Sequence, residues 1–129
     1  MSVYLDNAAT SYPKPESVYQ TVDDYQRNIG ASPGRGSYSR AEQGQEIMAQ
    51  TRELLGQLFK IETSERIVFT ANVTEALNLA LKGLLDQGDH VITSQLEHNA
   101  MWRPLKRLER DRKIDLTVIP CPEGSKLDV

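Results

Sequence analysis

The sequence predicts an α/β fold, a mostly parallel sheet covered by helices, and three observations carry that reading. Short apolar runs rich in β-branched residues recur at Ile67-Val68-Phe69, at His90–Ser94 and at Leu116, Val118 and Ile119. Longer stretches between them place apolar residues at helical spacing. The order strand–helix–strand–helix–strand is that of parallel strands joined by crossover helices. With 129 residues the chain is long enough for one domain with a core and too short for two comfortable ones.

Residues 3–12, VYLDNAATSY, are small and polar after a brief apolar start, and Lys14 stands between Pro13 and Pro15. That composition predicts an extended, poorly paired surface arm. Val18, Val22, Tyr25 and Ile29 then repeat at spacings of four, three and four. They predict an amphipathic helix from Glu16 to Ile29, opening at Pro15-Glu16 and stopping before Gly30. Three glycines and a proline within Gly30–Gly36 make a loop whose backbone approaches other groups closely. Arg35 sits in that loop between two glycines, either reaching an anion with paired N–H donors or simply solvated. Ile47, Thr51, Leu54, Leu55, Leu58 and Phe59 predict a long helix over Ala41–Phe59. The polar turn Glu62–Glu65 feeds the first strand.

After that strand, Val73, Leu77, Ala80, Leu81, Leu84 and Leu85 form one helical stripe. Asn72 with Glu75 three residues on resembles a capping box, so the helix starts at or just after Asn72. His90, at the entrance of the second strand, reads as a surface or satisfied histidine. A polar turn, Gln95–Asn99, leads to a helix through Met101, Leu105 and Leu108, with Pro104 expected in its first turn, where a missing N–H costs nothing. The third strand is broken by Pro120 and Pro122.

Composition narrows the function. The formal net charge is −3, and the basic residues Arg103, Lys106, Arg107, Arg110, Arg112 and Lys113 are interrupted by Glu109 and Asp111. They read as the solvated face of a helix, which argues against a nucleic-acid partner. No apolar run is long enough to span a bilayer, and MSVYLDNAAT lacks the basic flank of a signal peptide. The one cysteine, Cys121, permits no internal disulfide and suits a cytoplasmic setting.

Ligands of open α/β sheets bind beyond the strands' carboxyl ends. Here two such ends carry polar equipment, Asn72-Val73-Thr74 and Glu97-His98. A helix N-terminus with the Thr74 hydroxyl suits a phosphate. An imidazole beside it lies flat on a ring or moves a proton, so the pair suits a phosphorylated aromatic cofactor. Against this stands the plainer reading, in which Asn72 and Thr74 only cap a helix and His98 only opens one.

Four segments resemble one family in order: YLDNAATSYPKP at Tyr4–Pro15, SPGRGSYSRA at Ser32–Ala41, FTANVTEALNLALKGLL at Phe69–Leu85, and LEHNAMWRPL at Leu96–Leu105. They resemble class V aminotransferase-like enzymes, in particular the cysteine desulfurase and selenocysteine lyase family. The resemblance implies the N-terminal part of the large domain of the pyridoxal-phosphate-dependent transferase type I fold. Residues 1–40 would form an arm, helix and loop, and residues 41–129 the start of the large α/β domain. It implies pyridoxal 5′-phosphate as cofactor, held by Asn72, Val73, Thr74 and His98, with His98 also catalytic. Asn7, Ala8, Ala9 and Arg35 would stand on the substrate side, and no metal is implied. The implied substrate is an amino acid, cysteine or selenocysteine; the implied partners are a second copy in a homodimer and a sulfur-acceptor protein. The family's cofactor-binding lysine, its aspartate for the pyridinium nitrogen, its nucleophilic cysteine and its substrate-carboxylate arginine belong to later segments. The expectation is therefore a fragment inactive alone, or another class V enzyme, or a non-catalytic binding or dimerisation module. If the chain keeps the family positions, Val91–Thr93 and Leu116–Ile119 are parallel neighbours and Ile67–Phe69 does not pair with them.

Overall fold

The computed structural model describes residues 3–112 and 114–122. Contacts divide the chain into two compact units, Met1–Ile67 and Val68–Val129.

In the first unit the arm is exposed, as expected, but it closes on itself. The Tyr4 hydroxyl lies 3.0 Å from the Asp6 carbonyl and 2.9 Å from that of Thr10. Its ring meets Tyr12 edge-on at 5.5 Å. Helix α1 (Glu16–Asp24) continues as a wider π turn, Tyr25–Ile29, so the helical run ends where the spacing places it. Gly30 closes it with φ 53°, its N–H reaching back to the Tyr25 carbonyl at 2.8 Å. The Tyr25 hydroxyl donates to the Ala31 carbonyl at 2.6 Å and ties the following loop to this turn.

Helix α2 (Ser39–Phe59) packs through its small residues: Ala41, Gly44 and Gly56 are buried. A Cβ on Gly44 would stand 3.4 Å from the Ala31 carbonyl oxygen, so the loop seats against bare backbone. The expected apolar stripe of this helix does not line a core. Leu54, Leu58 and Phe59 are 65%, 71% and 65% exposed. A stripe is buried only when a second layer faces it, and among the described residues this unit contains no strand. A short 3₁₀ turn, Ser64–Arg66, follows.

The predicted strand at Ile67, Val68 and Phe69 does not form. Ile67 has extended backbone (φ −88°, ψ 114°), but its carbonyl accepts from Arg52 Nε at 3.1 Å rather than from a ladder. Extended dihedrals are local; a strand also needs a neighbour. Among the described residues the sheet has two strands, β1 (His90–Ser94) and β2 (Asp115–Ile119).

Those two belong to the second unit, with α3 (Val73–Leu84) and α4 (Asn99–Arg112). They run parallel in the register His90↔Asp115 to Ser94↔Ile119, as the resemblance implies. The Asp115 N–H to Asp89 carbonyl bond (2.9 Å) and the Gln95 N–H to Ile119 carbonyl bond (3.1 Å) extend the ladder at each end. Helix α4 connects the strands and supplies most of the core. Ala100, Pro104, Leu105 and Leu108 are buried, together with Ile114 and Thr93. Helix α3 packs on α4 but buries none of its residues fully. Pro104 is not in the first turn; it is the sixth residue of α4. The helix begins earlier than its apolar spacing suggests because His98 caps it, and Pro104 then leaves the Ala100 carbonyl without its usual i+4 donor. His90 is satisfied: its Nε2 lies 2.7 Å from Thr117 Oγ1.

Candidate functional site

The start of α3 is built by its own side chains. Asn72 is extended (φ −165°), and its Oδ1 accepts the Glu75 N–H at 2.9 Å. Glu75 Oε2 returns the bond to the Ala71 N–H at 2.9 Å, one residue before the usual partner. The Thr70 hydroxyl donates to the Asn72 carbonyl at 2.9 Å. The Asn72 side chain is therefore committed to the cap. A ligand at this spot meets the N–H groups of Val73 and Thr74, which a helix start leaves without intrahelical acceptors, and the Thr74 hydroxyl.

His98 opens α4. Its carbonyl accepts the N–H groups of Met101 (2.9 Å) and Trp102 (3.0 Å), and its Nδ1 accepts the Ala100 N–H at 3.1 Å. An accepting Nδ1 fixes the neutral ring as the Nε2–H tautomer. The plain capping role and a role toward a ligand therefore use different nitrogens of one ring.

One groove of about 450 Å³ joins the two helix starts. From α3 it is lined by Thr74, Asn78 and Lys82, four residues apart on one face. From His98 and α4 come His98, Asn99, Ala100, Arg103, Pro104 and Arg107. At its far end Arg112 Nη1 donates to the carbonyls of Lys82 (3.1 Å) and Leu85. The two helices thus lie side by side with their amino ends together, and their dipoles add positive potential at Thr74 and His98. A concavity of about 460 Å³ in the first unit, lined by Glu53, Lys60 and Glu62 among others, holds none of the predicted site residues.

The structure brings Thr74 and His98 to the same groove. Asn7, Ala8, Ala9 and Arg35 belong to the first unit. Asn7 Oδ1 accepts the Tyr12 N–H at 3.1 Å and the Ala9 N–H donates to the Asp6 carbonyl at 3.2 Å, so both serve the arm's own turn. Arg35 is exposed beside Gly34, whose φ is 86°. Sequence reasoning missed Asn78, Lys82, Arg103 and Arg107 as groove residues. The available signal was the i, i+3, i+4, i+7 spacing of Ala100, Arg103, Pro104 and Arg107, which puts two of the α4 cations beside its buried face. Arg107 and Arg110 converge on Asp111. Desolvation raises that carboxyl, but the hydrogen bonds and charges of the two arginines outweigh it and hold it below the usual carboxylate range. Among the described residues no group of His, Cys, Asp and Glu is arranged to hold a metal ion, and no helix is long and apolar enough to cross a membrane.

Parallel strands with a crossover helix, and two helix starts meeting beside a histidine, define an α/β protein with a polar groove at those two helix starts. The chain belongs to the aminotransferase class-V family, whose model matches residues 3–129. It is 35% identical to a probable cysteine desulfurase of Methanothermobacter thermautotrophicus over 98% of this chain and 31% of the relative. It is 33% identical to one of Halobacterium salinarum, again over 98% of this chain and 31% of the relative. The apo structure of cysteine desulfurase from Thermococcus onnurineus superposes with a TM-score of 0.80 at 29% identity, covering 98% of this chain and 32% of that one. C-DES, solved with glycine covalently linked to its PLP cofactor, shares the fold at a TM-score of 0.59 and 23% identity, over 84% of this chain and 27% of its own. The chain therefore spans about a third of the length of these relatives, and it corresponds to the N-terminal part of their fold.

Proposed function

We propose that this chain forms the cofactor-phosphate portion of a pyridoxal-phosphate-dependent cysteine desulfurase, acting on cysteine or selenocysteine in the cytoplasm as part of a homodimer that passes sulfur to an acceptor protein. The observation that supports it is the groove shared by Thr74 and His98 at two adjacent helix starts. The donor set fits the cofactor. The Val73 and Thr74 N–H groups and the Thr74 hydroxyl suit a phosphate, and the His98 ring, held by its cap bond, presents a flat face and an Nε2–H. When bound, the cofactor supplies the electron sink of the reaction. The chain's own residues bind the phosphate, position the ring and hold a proton at His98 Nε2. Asn72 acts indirectly, by fixing the helix start. Asn7, Ala8, Ala9 and Arg35 face substrate in this reading, in an arm, helix and loop over residues 1–40 set before the large domain. The exposed stripe of α2 is covered by the remaining fold or the second subunit. The lysine that would hold the cofactor covalently, and the nucleophilic cysteine, come from the remaining two-thirds of the fold.

The test is a titration with pyridoxal 5′-phosphate and with pyridoxal, followed by borohydride reduction and digestion. Binding that depends on the phosphate, with only scattered lysine labelling, is expected. A single stoichiometric pyridoxyl group on Lys106, or on Lys126 outside the described residues, would overturn the division of labour. Equal affinity for the two probes would overturn the phosphate site.

A further inference from the structure

We propose that Arg103 is the charged arm of the phosphate cradle, so that the groove selects a phosphate monoester dianion. This rests on the cofactor reading above. The described part of α4 carries five basic residues: Arg103, Lys106, Arg107, Arg110 and Arg112. Four are already engaged. Lys106 pairs with Glu109 at 2.8 Å and lies 5.4 Å from the Trp102 ring centre. Arg107 and Arg110 share Asp111, and Arg112 caps the carbonyls of Lys82 and Leu85. Among the described residues Arg103 alone of the five has no hydrogen-bond or ion-pair partner, and it lines the groove with Thr74 and His98.

Arg103 lies four residues beyond Asn99, about 6 Å along the helix axis. Helical side chains lean toward the amino end, and an extended arginine covers that distance. Arg103 is exposed at the groove, and extended along the helix its guanidinium would come to the level of the paired helix starts. There its planar fork matches phosphate oxygens two at a time, which a lysine does not. The helix starts supply partial charges and N–H donors; Arg103 adds a full charge beside them, while Lys82 and Arg107 line the groove further along the helices.

The sole tryptophan, Trp102, is the neighbouring residue and serves as the fluorescence probe. Wild type, Arg103→Ala, Arg103→Lys, Arg110→Ala and Thr74→Val are titrated with pyridoxal 5′-phosphate, with pyridoxal and with inorganic phosphate, and their thermal midpoints are compared. Arg103→Ala is expected to weaken pyridoxal phosphate and inorganic phosphate about ten- to a hundredfold with pyridoxal and the midpoint unchanged. Arg103→Lys should fall between the two, and Arg110→Ala should match wild type. Unchanged phosphate affinity in Arg103→Ala, with Thr74→Val weakened, overturns the role of Arg103 and leaves the cofactor reading standing. Equal weakening toward pyridoxal would show that Arg103 meets something other than phosphate. Absence of phosphate-dependent binding in wild type overturns both.

Discussion

Replacing His98 by alanine and by asparagine separates the capping bond from the proton-transfer role proposed for its ring. Alanine removes the Nδ1 acceptor of the Ala100 N–H and the ring together. Losing a cap of this kind costs about 1 kcal/mol, roughly a fivefold change in the folded-to-unfolded ratio. Asparagine keeps a side-chain acceptor at the helix start, so its cost should stay within a few tenths of a kcal/mol, while the ring and its Nε2–H are gone. Proton transfer by a placed side chain is worth about 10²–10⁴ in rate. On the proposed function, the complete protein carrying His98→Asn should lose at least about a hundredfold in alanine formation from cysteine while its urea midpoint barely moves. Urea unfolding and alanine release, measured on the same two variants, decide the matter. A ¹⁵N spectrum of the wild-type ring should show the pyridine-like nitrogen at Nδ1 and the pyrrole-like one at Nε2. Retained turnover in His98→Asn would remove the ring from proton transfer, and a loss of stability equal to that of His98→Ala would mean that asparagine does not replace the cap.

Leu105 is fully buried, so Leu105→Ala should cost about 2–5 kcal/mol in urea unfolding. Leu58, 71% exposed, should change stability by less than about 0.5 kcal/mol when replaced by alanine, and a larger loss would mean that the α2 stripe is covered in solution. Asp111 is held below the usual carboxylate pKa, so its contacts with Arg107 and Arg110 are present above about pH 4 and are lost as pH falls through the lowered value. The pairs are exposed, so the effect on stability is small. An NMR titration should place the Asp111 inflection below that of an ordinary aspartate, and Arg107→Ala with Arg110→Ala should return it.

The features legible in the chain alone are mostly local. The helical run from Glu16 ends at Gly30 because only a residue tolerant of positive φ closes that turn cheaply. The cap between Asn72 and Glu75 follows from two side chains three residues apart. The second and third strands were legible from apolar runs separated by a helix-length connection, and their parallel pairing is the one the resemblance implies; the structure alone set their register. Tertiary structure decided the rest, since burial and pairing depend on what stands opposite. Ile67, Val68 and Phe69 have the composition of a strand, yet no ladder receives them. The apolar stripe of α2 has the right period, yet the unit packs through Ala41, Gly44 and Gly56. Pro104 lies deep in α4 because a histidine cap, invisible to apolar periodicity, starts the helix at Asn99. The groove divides the same way: Thr74 and His98 were legible as helix-start residues, but only the side-by-side packing of α3 and α4 set Arg103 beside them, because helix registry is fixed by contact and not by composition.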